Sequence, residues 1–63
     1  MTIGENLQRL RKDAKTTQQQ LADYLGINQS LVASYERDTK PVPLQTAKKI
    51  VDFFGCTFDD FFS

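Results

Sequence analysis

The middle third of this 63-residue chain constrains its fold most strongly. Two short helix-forming segments lie on either side of Gly26, and each begins after a residue that caps helices. Thr17 with Gln20 three residues later matches a capping box, and Asn28 is a preferred N-cap residue. Glycine at position 26 suits the left-handed backbone that ends many helices. The sequence therefore predicts helices over residues 18–25 and 29–37, joined by a tight turn.

The apolar residues of these two segments fall on the sides that would face each other. Ala22 is small at the position where the second helix must approach the first most closely. Two short helices meeting at an angle across such a turn form a helix-turn-helix. The residues predicted to point into the angle are Leu21, Leu25, Ile27, Val32 and Tyr35.

Helical periodicity also covers the ends of the chain. Apolar residues at three- and four-residue steps predict a first helix of about 12 residues, carrying Ile3, Leu7, Leu10 and Ala14. Two prolines make residues 38–43 a loop, and Pro43 suits the first turn of a fourth helix. The apolar stripe of that helix is Leu44, Ala47, Ile50, Val51 and Phe54.

After Gly55, Thr57 is placed to cap a short fifth helix over residues 58–62, with Asp59 and Asp60 in its first turn. No segment alternates with a period of two for long enough to predict a strand. We therefore expect an all-α fold of five helices, with residues 1–63 forming one domain.

Composition argues against several classes of protein. Cys56 is the one cysteine and there is no histidine, so neither an intrachain disulfide nor a four-ligand zinc site is expected. No apolar run approaches the roughly 18 residues of a membrane span, and the N-terminus lacks a signal-peptide pattern. We find no glycine-rich phosphate loop and no paired carboxylates beside an apolar pocket. We expect a cytoplasmic protein that is not an enzyme and has no cofactor, metal or small-molecule ligand.

The charge of the chain is neutral in total but unevenly placed. Residues 1–49 carry eight basic and five acidic side chains, a net charge of +3, whereas residues 50–63 carry three acids and a net charge of −3. A neutral total is unusual for a nucleic-acid-binding domain. It is compatible with a basic face and an acidic end, and equally with scattered solvated charges.

The helix-turn-helix segment reads Thr17-Gln18-x-x-Leu21-Ala22-x-x-Leu25-Gly26-Ile27, followed by Val32, Tyr35, Glu36 and Arg37. With its flanks, this motif resembles the Cro and phage-repressor family of helix-turn-helix proteins, also called XRE-type, over nearly the whole chain. Flanking matches are Ile3-Gly4-x-x-Leu7-x-x-Leu10-Arg11 and Ala47-x-x-Ile50-Val51-x-x-Phe54-Gly55-Cys56-Thr57. This implies a compact five-helix lambda-repressor-like DNA-binding domain. One departure is Asp38, where the family usually has glycine; aspartate tolerates the left-handed backbone needed there.

The resemblance implies how the residues divide the work. The third helix would enter the major groove of double-stranded DNA as a transcriptional repressor or regulator. The residues expected to read bases are Gln29, Ser30, Ala33 and Ser34. Those expected to contact phosphates are Arg11, Thr17, Gln18, Asn28, Thr39 and Lys40. Arg11 is also expected to pair with Glu36 and so to fix the angle of the third helix.

The resemblance and the small size of one reading helix favour a homodimer on a palindromic operator. Phe61 and Phe62 are the aromatic residues expected to face a second subunit, and Cys56 is expected to be a small buried residue. An alternative stays open at this point. A module of the same fold could serve as an antitoxin or anti-repressor that binds proteins without reading bases, and the zero net charge favours that alternative.

Overall fold

The computed structural model describes residues 1–62, and within this range the chain forms five helices and no strand. The helices are α1 (Ile3–Asp13), α2 (Gln18–Leu25), α3 (Gln29–Glu36), α4 (Leu44–Phe54) and α5 (Phe58–Phe62). The predicted all-α fold is confirmed, with α1 and α3 each one residue shorter than expected. None of these helices is both long enough and apolar enough to cross a membrane.

Local capping explains where the helices begin and end. The Thr17 hydroxyl accepts from the backbone N–H of Gln20, and the Gln20 side chain accepts from the N–H of Thr17. Thr57 and Asp60 make the same reciprocal pair at α5. Gly26 ends α2 with φ 72°, a left-handed conformation that side-chain-bearing residues resist. These hydrogen bonds confirm the capping predictions. The predictions were possible because each cap depends on residues close together in the sequence.

One core joins all five helices. Leu7, Leu21, Val32, Ile50 and Phe61 are fully buried, one from each helix. The residues predicted to face the angle between α2 and α3 are in this core, with Ile27 partly buried at its edge. Ala22 is fully buried, as expected where α3 approaches α2. The core therefore fixes the orientation of α3 through contacts that the apolar pattern predicted.

Three predictions of burial were wrong. Ala14 lies just beyond the end of α1 and is exposed. Leu44 is 64% exposed because it is the first residue of α4, one turn before Ala47 enters the core. Phe61, expected at a subunit contact, is fully buried, and its carbonyl accepts a hydrogen bond of 2.9 Å from the buried Asn6 amide. Phe62 is 44% exposed, as a contact residue would have to be.

Cys56 lies in the turn between α4 and α5, partly buried against the core. It is less enclosed than the sequence suggested. Burial, and then the nearby Asp60 carboxylate, raise the pKa of the Cys56 thiol above its usual range. The thiol therefore stays protonated near neutral pH and is a poor nucleophile.

Lys15 adopts a backbone conformation that lysine disfavours. Its φ of 53° lies in the left-handed region, which costs about 1 kcal/mol or more for a residue with a Cβ. Lys15→Gly should therefore raise the free energy of unfolding by about 0.5–1 kcal/mol, less than the full strain because glycine loses more entropy on folding. Urea unfolding followed by circular dichroism measures it. Ala14→Gly, at an ordinary φ of −84°, should instead be destabilising, and equal effects of the two changes would contradict the assignment of strain.

Candidate nucleic-acid interface

The N-terminal turn of α3 presents polar side chains to solvent. Asn28 caps the helix, and its Oδ1 accepts from the backbone N–H of Leu31 at 3.0 Å and from the Ser30 hydroxyl at 2.8 Å. Gln29 and Ser30, the first two helical residues, are both exposed. The cap therefore orders the exposed first turn of α3.

Further along the same helix, Ala33 and Ser34 are partly buried. The Ser34 hydroxyl donates to the carbonyl of Ser30 at 3.1 Å, so its oxygen remains free to accept a hydrogen bond. Ser30 and Ser34 border one shallow hollow with Lys40 from the following loop, and its other lining residues are Asn28 and Leu31. The structure therefore places a basic side chain beside two of the residues predicted to read bases.

The Gln29 amide is held by a neighbouring helix. Its Nε2 donates to Oε1 of Gln18, and Gln18 Nε2 donates to Oε1 of Glu36 at 3.0 Å. Gln18 is the first residue of α2, so the three side chains connect the start of α2 to both ends of α3.

Arg11 completes this network from α1. Its Nε lies 2.5 Å from Glu36 Oε2, its Nη2 donates to Oε1 at 3.1 Å, and its Nη1 donates to the carbonyl of Thr16 at 2.9 Å. The side chains of Arg11 and Glu36 are only 12% and 3% exposed. This two-point ion pair joins α1 to the C-terminal end of α3, as a structural brace requires. A phosphate contact by the mostly enclosed guanidinium stays a prediction.

The loop after α3 begins at Asp38, whose φ is 60°. The left-handed backbone expected at this departure from the family pattern is therefore present. The Asp38 carboxylate reaches across to the start of α1, where Oδ1 accepts from the N–H of Gly4 at 2.9 Å and Oδ2 accepts from the Thr2 hydroxyl at 2.6 Å. Sequence reasoning missed this connection because its partners lie more than 30 residues apart.

Gly4 is a second residue whose role the sequence did not reveal. A Cβ at this position would lie 2.5 Å from the backbone carbonyl oxygens of both Tyr35 and Glu36. The first turn of α1 therefore packs directly against the end of α3, which only a residue without a side chain allows. The signal in the sequence was a glycine inside an amphipathic helix, where it is normally unfavourable.

The remaining residues predicted to contact phosphate lie at the start of α2 and on the loop after α3. Thr17 and Gln18 are at the N-terminus of α2, where free backbone N–H groups favour an anion. The Thr17 hydroxyl already accepts the capping bond from Gln20. Thr39 and Lys40 are exposed on the loop after α3, and the Thr39 hydroxyl donates to the carbonyl of Ser34 at 3.1 Å. Their contact with phosphate stays a prediction.

A family model described as helix-turn-helix matches residues 7–61 of the chain. The immunity repressor protein of Bacillus phage phi105 is 34% identical over 55 residues, which are 87% of this chain and 38% of that protein. The chain thus spans well under half the length of this relative. It belongs to the helix-turn-helix family of the XRE type. The prediction that this chain is not an enzyme is confirmed, because the family model that matches it describes a helix-turn-helix and the phage relative is a repressor.

Two solved structures share the fold. The P22 c2 repressor protein, solved with a synthetic operator, superposes with a TM-score of 0.91 at 19% identity and covers 100% of this chain and 96% of that one. An Fe(II) HppE structure with its substrate superposes with a TM-score of 0.87 at 22% identity, covering 97% of this chain but 35% of that one. At such identities these likenesses confirm the lambda-repressor-like arrangement of helices alone.

Proposed function

We propose that this protein binds double-stranded DNA sequence-specifically as a transcriptional repressor or regulator, with α3 in the major groove. The observation that carries the proposal is the exposed polar start of α3, where the Gln29 side chain is held in place by Gln18. Recognition of a base edge is tighter when its donors and acceptors are held in position before binding, because each torsion frozen on binding costs free energy. The operator complex of the P22 c2 repressor and the repressor from phage phi105 add support from similar proteins.

The chemistry of the Gln29 amide fits one base in particular. Glutamine makes a bidentate contact with adenine, donating an N–H to N7 and accepting from the N6 amino group. An amide has two N–H donors, and Gln18 takes one of them. The second N–H and the carbonyl oxygen of Gln29 remain available for adenine. Ser30 and Ser34 add hydroxyl groups, and Ala33 adds a methyl group suited to thymine.

The functional unit that we propose is a homodimer on a palindromic operator. One helix of eight residues contacts few base pairs, and dimers of this class place their half-sites about 10 base pairs apart. On α5, Phe58 and Phe62 are 38% and 44% exposed and stack with ring centroids 6.0 Å apart. These two rings, rather than the buried Phe61, are the aromatic contact that we propose between subunits.

Selection of bound duplexes from a random DNA pool tests this function. We expect a two-fold symmetric consensus, and analytical ultracentrifugation of the selected duplex should show two chains bound. One chain on an asymmetric site would contradict the homodimer but not DNA reading. Recovery of no consensus, with no retention on heparin at low salt, would instead support the alternative of a protein-binding module, which the zero net charge favours.

A further inference from the structure

We propose that Asp38 is a positioning residue for the contact with the DNA backbone. Its carboxylate fastens the loop that carries Thr39 and Lys40 to the first turn of α1. This inference rests on the proposed function, since it concerns how the same surface meets DNA. Asp38 is not among the residues predicted to contact DNA, and it departs from the family pattern.

Hydrogen bonds fix the start of this loop from two directions. On one side, the backbone N–H of Asp38 donates to the Tyr35 carbonyl at 3.1 Å and that of Thr39 donates to the Ser34 carbonyl at 3.0 Å. On the other side, the Asp38 carboxylate accepts from Gly4 and Thr2. The loop is therefore tied both to the helix that it follows and to the N-terminus of α1.

Lys40 follows Asp38 by two residues and lies beside α3. It borders the hollow that contains Ser30 and Ser34 on α3. It also borders a second, mainly apolar hollow shared with Ile3 and Asp38. The position of the Lys40 ammonium relative to α3 thus depends on how the loop is held against α1. If the loop were mobile, ordering the Lys40 ammonium on binding would cost free energy and lower the affinity for DNA.

The negative charge of Asp38, taken alone, should weaken binding to DNA. An acidic side chain beside a phosphate-binding loop repels DNA, and glycine would supply the left-handed backbone without that charge. In this structure the carboxylate is directed to the N-terminus of α1, where the helix dipole and the N–H of Gly4 stabilise it. Removal of the negative charge should therefore raise the affinity for DNA, whereas loss of the hydrogen bonds to α1 should lower it. The sign of the measured change in affinity thus tests the proposal.

The test compares Asp38→Gly and Asp38→Asn with the unchanged chain on the selected duplex and on an unrelated duplex. Asparagine tolerates the left-handed backbone and keeps an acceptor for Gly4. We expect Asp38→Gly to bind both duplexes roughly five- to tenfold more weakly, with sequence preference kept, and Asp38→Asn to stay within about twofold of the unchanged chain. Binding is measured at a temperature low enough that circular dichroism shows every variant, Asp38→Gly included, to be folded.

A double-mutant cycle with Lys40→Ala separates positioning from general destabilisation. In the Lys40→Ala background Asp38→Gly should weaken binding by less than about twofold, because the charge that it positions is gone. Lys15→Gly is the control, because Lys15 is the other non-glycine residue with positive φ in the described part of the chain. This change should leave the affinity for DNA unchanged. Binding more than about twofold tighter by either folded Asp38 variant, or equal losses from Asp38→Gly in both backgrounds, would overturn the proposal. Failure of the unchanged chain to bind any duplex would instead refute the proposed function.

Discussion

Arg11→Met is expected to lower the free energy of unfolding by about 3–5 kcal/mol, because it leaves the Glu36 carboxylate buried without its cationic partner. A domain of this size is typically stable by roughly 3–9 kcal/mol, so the loss is a large share of the total stability. Urea unfolding measures the loss. Arg9→Met is the matched control, since Arg9 is exposed on the same helix and its replacement should change stability by less than about 0.5 kcal/mol.

A second substitution distinguishes a buried charge from a general packing defect. Replacing both partners in Arg11→Met/Glu36→Leu removes the unpaired charge and should recover much of the lost stability. It also removes the acceptor of Gln18 Nε2, so the double variant should discriminate between bases less well even where folding returns. If Arg11→Met costs no more than Arg9→Met, the ion pair is only a weak surface contact and the brace is absent.

Gly4→Ala should lower the free energy of unfolding by about 3 kcal/mol, the upper end of what overpacking usually costs. Within a helix the same change normally stabilises by up to about 1 kcal/mol, so the expected sign is reversed. The reason is that the new Cβ would meet two backbone carbonyl oxygens at 2.5 Å, and backbone cannot rotate away as a flexible side chain can.

Thermal and urea unfolding of Gly4→Ala check this expectation. Lys12→Ala, an exposed position on the same helix, should change stability by less than about 0.5 kcal/mol. Unchanged or increased stability of Gly4→Ala would show that α1 and α3 are farther apart than in this structure. Loss of stability together with loss of DNA binding is expected, because the close approach also places Gly4 N–H against Asp38.

The helices could be predicted because their signals are local. Thr17, Asn28 and Thr57 each bond to a backbone group three residues away, so the capping residues mark where helices begin without knowledge of the fold. The apolar pattern likewise predicted that Leu21 and Val32 lie in the core, because the apolar face of a single helix indicates which of its residues are buried.

What could not be predicted depends on approaches between distant segments. Asp38 meets Gly4 across 34 residues, and Asn6 meets Phe61 across 55, and neither pair leaves a periodic signal. The C-terminal aromatics show the same limit. A five-residue helix has too few positions for periodicity to distinguish the buried Phe61 from the exposed Phe62. The pairing of Arg11 with Glu36 was reached only through the family resemblance.

Binding of Gln29→Ala to a panel of single-base variants of the selected duplex tests most directly whether α3 reads bases. We predict loss of preference at one base pair in each half-site, worth about 1–3 kcal/mol there, and little change in binding to unrelated DNA. Lys40→Ala is the control: it should weaken binding to every duplex alike and reduce the slope of log affinity against log salt by about 0.9. If Gln29→Ala instead weakens all duplexes equally and keeps the preference at every position, Gln29 does not read a base and the account of this interface is wrong.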